Sequence, residues 1–430
     1  MKKIIALLLA AMMLLSLAAC AGKEAEAPAE ESAPAAEATV AEKVAAAKEN
    51  PIDTSKVKEA VDAGTFKVGF ILLGDENEGY TYAHIEGIQS AIDTLGLTEA
   101  QYVFKYNIPE DETCYDTAVD LAEEGCQLIF SNSFSHETYM LQAATEYPDI
   151  IFCPATGQQA ATCGLDNVVN FFPSTYESRY VSGVVAGMKL KEMMDNGEVT
   201  DPYVGYVGAY PYAEVVSGYT AFFLGIQSIV PEAHMDVQYT NSWFDITAEG
   251  EAANALMAKG CVVIGQHADS TGAPSACEAA YNNGTTVVSV GYNVDMLSVA
   301  PSVALTSAQN NWKVLYTGII ETAMKGELLD RNNTCSYTSD GVQISPLGEA
   351  CAAGTQEKVD EVVAALKDGS LKVFDTEKFT VGGQKVESYD QSWGFEGVAL
   401  ISDGYFHESE AISAPLFDLR IDGITELNAN

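Results

Sequence analysis

The residues of this chain that could make or break bonds follow no spacing that catalysis uses. Five histidines are scattered through the sequence. His84, His136 and His267 fall near expected strand ends, and none has an obvious nucleophile partner. There is no G-x-S-x-G elbow, no H-E-x-x-H pair, no phosphate-cradling P-loop and no G-x-G-x-x-G turn. His267 and Asp269 stand two apart, but a zinc site needs at least three protein ligands and no third is evident. Paired carboxylates abound among 61 Asp and Glu, so they single out nothing. The sequence therefore points away from an enzyme, and no cofactor or metal is expected.

A different kind of chemistry is written into six loops. Gly74 to Thr81 holds Asn77, Tyr80 and Thr81, and Ser131 to Phe134 holds Ser133 and Phe134. Gly208-Ala209-Tyr210 is a third. Asn241 to Asp245 carries Trp243 and Asp245, Gln266 to Ser270 carries Asp269, and Gly291 to Asp295 carries Asn293 and Asp295. Most of these loops mix aromatic rings with hydrogen-bonding groups. Rings stack on the faces of a flat ligand while carboxylates and amides read its edge. That is recognition without turnover. Phe134 has a second reading, since a Phe after a buried strand often plugs a core.

Each loop follows a short apolar run. Phe66 to Leu73, Tyr102 to Phe104, Leu128 to Phe130 and Ile150 to Phe152 read as strands. Between them Ile85, Ile88, Ile92 and Leu95 recur at helical spacing, Tyr115, Val119 and Ala122 mark a second helix, and Thr138 to Tyr147 a third. The rhythm restarts at Tyr203 to Val207. It continues through strands at Val237 to Tyr239, Val262 to Ile264 and Thr286 to Val290, with helices at Glu214 to Ile229, Ala248 to Lys259 and Ala273 to Tyr281. Strands apolar throughout, alternating with helices, predict an α/β chain with buried parallel sheets. Two such doubly wound units give two lobes. Ligands bind beyond the carboxyl ends of strands in these sheets, so the cleft between the lobes is the expected site.

The chain has 430 residues and a formal net charge of −39. With no basic stripe to displace counterions, nucleic acid is not expected as a partner, nor are anionic lipid headgroups. At the N-terminus Lys2 and Lys3 precede an apolar run from Ile4 to Ala19, too short for a comfortable span and shaped like a secretory signal. Leu17-Ala18-Ala19-Cys20 looks like a bacterial lipobox, which implies cleavage before Cys20 and lipid on its thiol. An ordinary signal peptide is the alternative. Residues 20–54 are largely Ala, Glu, Pro and Ser and read as a disordered tether. Eight further cysteines include no C-x-x-C, and either disulfides or buried free thiols suit an exported chain.

At the loops the sequence resembles the basic membrane protein family of lipoproteins, the purine-binding subunits of ABC importers. The stretches that carry the likeness are KVGFILLGDENEGYTYAHIEG, GYVGAYPYAEVVSGYTAFFLGIQSIVPEA, NSWFDITAEGEAANALMAKGCVVIGQHADSTG and SVGYNVDM, with APLFDLRIDGITEL near the end. The resemblance implies a type I periplasmic-binding fold: two lobes joined by three crossovers, near Phe172, near Gln309 and near residue 345. It apportions residues 55–172 with 309–345 to lobe 1 and 173–308 with 346–430 to lobe 2. It implies a monomer, held by its lipid on the outer face of the cell membrane, that closes around a purine base or nucleoside and hands it to an ABC permease. Tyr80 and Trp243 match the two aromatics that sandwich the base. Asn77 stands where a carboxylate often reads the base edge, leaving Glu78 or Asp75 to substitute. Asn293 and Asn310 stand where nucleoside binders keep an aspartate and a lysine for the ribose; Asp295 is a candidate replacement. With Trp312 close by, these departures favour a free base. A sensor subunit, or a receptor for riboflavin or a sugar, is the alternative.

Overall fold

The computed structural model describes residues 38–429. The signal segment, Cys20 and the tether as far as residue 37 lie outside the described residues. The chain from Val40 to Glu49 forms α1, so the expectation of a disordered tether fails for its last part. Thr39 caps α1 reciprocally with Glu42, and Val44 and Ala47 bury an apolar face that propensity alone would not have required.

After α2 (Ser55–Ala63) the first lobe follows the expected alternation. Its elements are β1 (Val68–Ile71), α3 (Gly79–Leu95), β2 (Tyr102–Lys105), α4 (Glu112–Glu123), β3 (Leu128–Ser131), α5 (His136–Glu146) and β4 (Ile151–Pro154). The strands pair in parallel in the order β2-β1-β3-β4, and β1, β3 and β4 are buried along their whole length. A short strand, β5 (Asn170–Phe171), leads the chain out of this lobe.

The second lobe is built from α6 (Thr175–Asp195), β6 (Tyr203–Gly208), α7 (Ala213–Gln227), β7 (His234–Tyr239), α8 (Ile246–Lys259), β8 (Val263–His267), α9 (Gly272–Asn282), β9 (Val288–Tyr292) and β10 (Ala304–Asn310). Helices α6 and α7 cross closely because glycines line the contact. A Cβ on Gly183 would come within 2.0 Å of the Phe222 carbonyl oxygen, and one on Gly225 within 2.2 Å of that of Tyr180. From β10 the chain returns to the first lobe as α10 (Trp312–Lys325), and β11 (Asn332–Asn333) pairs with β5. It then crosses back: β12 (Val342–Ile344) pairs antiparallel with β10. Residues 342–345 therefore join the second sheet, slightly earlier than the expected third crossover. After α11 (Thr355–Lys367) come the small hairpin β13 (Ile401–Ser402) and β14 (Tyr405–Phe406), and β15 (Ile424–Glu426), which adds in parallel to β7. The second sheet runs β12-β10-β9-β8-β6-β7-β15. The segment between α11 and β15 has little regular structure and is held by rings, with Phe374 stacked on Phe417 at 4.2 Å and Phe406 edge-on to Phe417.

Each lobe has a main apolar core and a smaller one on the other face of its sheet. Phe70, Phe130, Phe171 and Tyr316 centre the main core of the first lobe; Val184, Phe222, Val237 and Phe417 lie in that of the second. Helix α1 belongs to the second core through Val44, yet Ile52, two residues past it and the C-cap, pairs with Leu329 of the first lobe. Arg331 fixes this step by donating to the Asn50 carbonyl oxygen at 2.6 Å. The N-terminal segment is thus a fourth link across the hinge.

Candidate ligand-binding site

The loops at the carboxyl ends of the strands meet where the lobes face each other. Glu78 begins α3 as its N-cap, accepting hydrogen bonds from the backbone N–H groups of Tyr80 at 2.7 Å and Thr81 at 2.8 Å. This fixes Tyr80 in the first helical turn. Its hydroxyl donates to the Asn132 carbonyl oxygen at 2.7 Å, and its ring meets His84 and Trp312 edge-on. From the other lobe Trp243 sits between β7 and α8, edge-on to Tyr210 at 5.1 Å. Asn241 turns this loop with φ of 55°, a conformation that asparagine tolerates. The Asp269 N–H donates to the Trp243 carbonyl oxygen at 2.8 Å, tying the two loops together.

The rings of Tyr80 and Trp243 both line one small cavity between the lobes. The first lobe lines it with Leu73, Tyr80, Asn132, Ser133, Phe134 and Thr156. The second contributes Glu214, Trp243, His267, Asp269 and Tyr292. The lobes touch at its edge: a Cβ on Gly79 would lie 2.9 Å from the Asp269 carbonyl oxygen.

The second-lobe wall is polar and poorly solvated. Burial pushes the Glu214 carboxyl up to about 7, with Arg179 opposing. Burial, and then the carboxylates of Glu78, Glu249 and Glu214, hold Asp269 well above the ordinary carboxylate range. Burial keeps His267 neutral, with Arg179 adding to the effect; its Nε2 is 3.5 Å from Glu214 Oε1. Beneath them Arg179 is 1% exposed, places its guanidinium 3.6 Å from the centre of the Tyr292 ring, and donates to the Gln266 carbonyl oxygen. Arg179 Nε and Nη2, His267 Nδ1 and the Tyr292 hydroxyl make no hydrogen bond within the chain. Buried polar atoms are normally paired, so this wall has hydrogen-bonding capacity left over.

Of the residues expected at the site, Tyr80, Ser133, Phe134, Trp243 and Asp269 surround this cavity. Thr81 stands behind them, its hydroxyl accepting from Asn132 Nδ2 at 3.2 Å. Asn293 also acts from behind, donating to Asp269 Oδ1 at 2.6 Å. Three more of the expected residues do not line this cavity. Asp245 is the N-cap of α8, accepting from Thr247 and Ala248, and does not line the cavity. Asp295 is exposed and accepts from the Leu297 N–H. Asn77 is exposed and bonded to Asp75, and lines a neighbouring groove instead. The proposed substitutes are also engaged, Glu78 as a cap and Asp75 by Asn77 and Asn107. Asn310 accepts from Thr175 at 2.8 Å, and Trp312 is wholly buried against His84.

Sequence reasoning missed Glu214 and Arg179, and weighed His267 only as a catalytic or metal-binding residue. Asn132, His267 and Tyr292 were findable, because each sits at or directly after the carboxyl end of a strand. Among the described residues no group of three His, Cys, Asp or Glu is placed to hold a metal, and all eight cysteines are free.

Residues 66–366 match the family of PnrA-like ABC transporter substrate-binding proteins. The chain belongs to this family. It is 31% identical over 309 residues to a purine-binding protein of Brucella abortus, covering 72% of this chain and 83% of that one. It is 32% identical to a Haloferax volcanii protein named for glucose binding in an ABC transporter, over 58% of each chain. A solved ABC transporter solute-binding protein from Aeropyrum pernix superposes with a TM-score of 0.61 at 16% identity, over 72% of this chain and 93% of that one. The type I periplasmic-binding architecture follows, with its two lobes and hinge. A PnrA-like substrate-binding protein works on the extracytoplasmic side with a small ligand and a membrane permease as partners. Among the described residues no helix is long and apolar enough to cross a membrane.

Proposed function

We propose that this PnrA-like protein captures a purine base between Tyr80 and Trp243 and delivers it unchanged to an ABC permease, as a monomer held at the membrane by lipid on Cys20. The observation that supports the reading is that these two rings, one from each lobe, line the same cavity, whose second-lobe wall keeps unspent hydrogen-bonding groups. A ring stacked from each side makes binding depend on closure, and each stack contributes about 1–3 kcal/mol. Asp269, Glu214 and Asn132 are the candidates for reading the edge of the base. Among relatives, the Brucella abortus protein is named for purine binding.

A free base suits the site better than a nucleoside. Asn293 and Asn310 carry no charge and are bonded to Asp269 and Thr175. Trp312 fills the neighbouring space behind Tyr80.

The test is thermal unfolding against adenine, guanine, hypoxanthine, xanthine, their nucleosides, riboflavin and glucose. A ligand at a hundred times its Kd stabilises by about 2.7 kcal/mol. One or more purine bases should raise the midpoint and be recovered chemically intact. A rise with glucose or riboflavin and none with any purine would replace this reading. Metabolic labelling with a fatty acid should mark the natural chain and not Cys20→Ser.

A further inference from the structure

A second, larger cavity adjoins the first. It holds about 380 Å³. Phe134, Thr156 and Glu214 line both chambers. Phe134 of the first lobe and Tyr212 of the second meet at 5.9 Å between ring centres, so the two cavities adjoin at an aromatic pair that spans the lobes. Thr156, which lines both, has φ of 57°, a backbone region that β-branched residues rarely enter. Strain of that kind persists where surrounding structure holds it, often at ligand clamps.

The outer wall comes from the irregular segment after α11, which lies beyond the residues that match the family. It supplies Trp393, Ala414, Pro415 and Leu416, facing Pro211 and Tyr212. Trp393 is 76% exposed, far more than any other large apolar side chain of the segment. The polar groups of this wall are already engaged. Ser392 donates to the Leu416 carbonyl oxygen, and Asp418 accepts from Tyr389. Arg420 bonds to Glu426 and to the carbonyl oxygens of Asp418 and Pro211. What the outer wall offers a ligand is mainly apolar and aromatic surface. A sugar would find few free partners there; an alkyl or aryl group would remove apolar area from water.

Building on the purine reading, we propose that the outer chamber is a second subsite, and that the ligand is a flat nitrogen heterocycle bearing an apolar substituent. The ring occupies the inner chamber, and the substituent passes Phe134 and Glu214 to rest against Tyr212, Leu416 and Trp393.

The experiment is calorimetric titration of the whole protein with adenine, N6-benzyladenine, guanine, N2-benzylguanine and adenosine, repeated on Trp393→Ala. Trp393 is exposed, so its loss leaves folding intact. For at least one base the benzyl derivative binds roughly tenfold tighter than the parent. Trp393→Ala removes that gain and leaves the affinity for the parent base unchanged. If parent and derivative bind alike, or the derivative binds worse, the outer subsite is refuted while the purine reading stands. If adenosine shows the gain and the benzyl compounds do not, the apolar class is wrong and the chamber takes a glycosyl group. If no purine of any kind binds, the purine reading itself falls and this proposal with it.

Discussion

Gly79→Ala separates closure from folding. Gly79 is the first residue of α3, a position where alanine is favoured over glycine by up to about 1 kcal/mol. Within its own lobe the substitution should be neutral or stabilising. Across the cleft it is not. The added Cβ would lie 2.9 Å from the Asp269 carbonyl oxygen, a backbone atom that cannot swing aside. Overpacking of this kind costs about 1–3 kcal/mol. Because the clash exists only when the lobes meet, the cost falls on the liganded state, where it corresponds to a loss of about 5- to 150-fold in affinity. Titration calorimetry with the tightest purine measures the loss, and thermal unfolding of the ligand-free protein provides the control. Weakened binding with an unchanged or raised midpoint is the expected pair of results. Unchanged affinity would refute the reasoning, since the lobes would then not approach at Gly79 when ligand is bound.

Trp243→Ala removes one stacked ring from a half-buried side chain, so it should weaken purine binding by about 1–3 kcal/mol with little change in the unfolding midpoint; unchanged binding would move the site elsewhere. The Glu214 carboxyl titrates at about 7 when folded and near 4.3 in an unfolded chain. Its contribution to stability is therefore full below about pH 4.3 and is lost as pH rises through about 7. The denaturant midpoint of ligand-free Glu214→Gln should fall less between about pH 5 and pH 8 than that of the natural chain; identical profiles would show that Glu214 is not held neutral. Removing residues up to Asn50 strips α1 from the second core. Burial of Val44 alone is worth about 2 kcal/mol, so the shortened chain should melt at a lower temperature, whereas a true tether would leave it unchanged.

The alternation of β1 to β4 and of β6 to β9 was legible because strands buried on both faces must be apolar throughout, and helices that cover them must keep helical spacing. Ends were less legible. Strand β7 begins at His234, three residues before the apolar run Val237 to Tyr239, because its backbone pairs with β6 whatever the side chains are. Helix α1 was hidden by an Ala- and Glu-rich composition that a tether shares. The segment after α11 was opaque for a different reason. Its stability comes from contacts distant in sequence, such as Phe374 on Phe417, which leave no local period.

The aromatic rings proposed to hold the ligand could be picked out from sequence because each is a Tyr or Trp in a strand-end loop. The charged wall could not. Glu214 looks like any acidic residue in the first turn of a helix, and Arg179 lies mid-helix in α6 with nothing in its spacing to announce burial. Only the fold shows that Arg179 is sealed beneath Tyr292 and that Asp269 is surrounded by Glu78, Glu249 and Glu214.

That arrangement carries a consequence for the empty protein. Asp269 belongs to the second lobe and Glu78 to the first, so closure presses two carboxyl groups toward each other while removing both from water. Like charges brought together in a poorly solvated cleft oppose closure unless one takes a proton or a donor arrives between them. A purine offers ring and exocyclic N–H groups of the required kind, which ties closure to the presence of ligand. Asp269→Asn removes the repulsion and keeps a side chain that can accept from Asn293. The ligand-free variant should accordingly populate the closed form. Small-angle scattering would read this as a smaller radius of gyration than that of the ligand-free natural chain, with little further contraction on adding purine. Equal radii for the two ligand-free proteins would mean that the carboxyl pair does not hold the lobes apart.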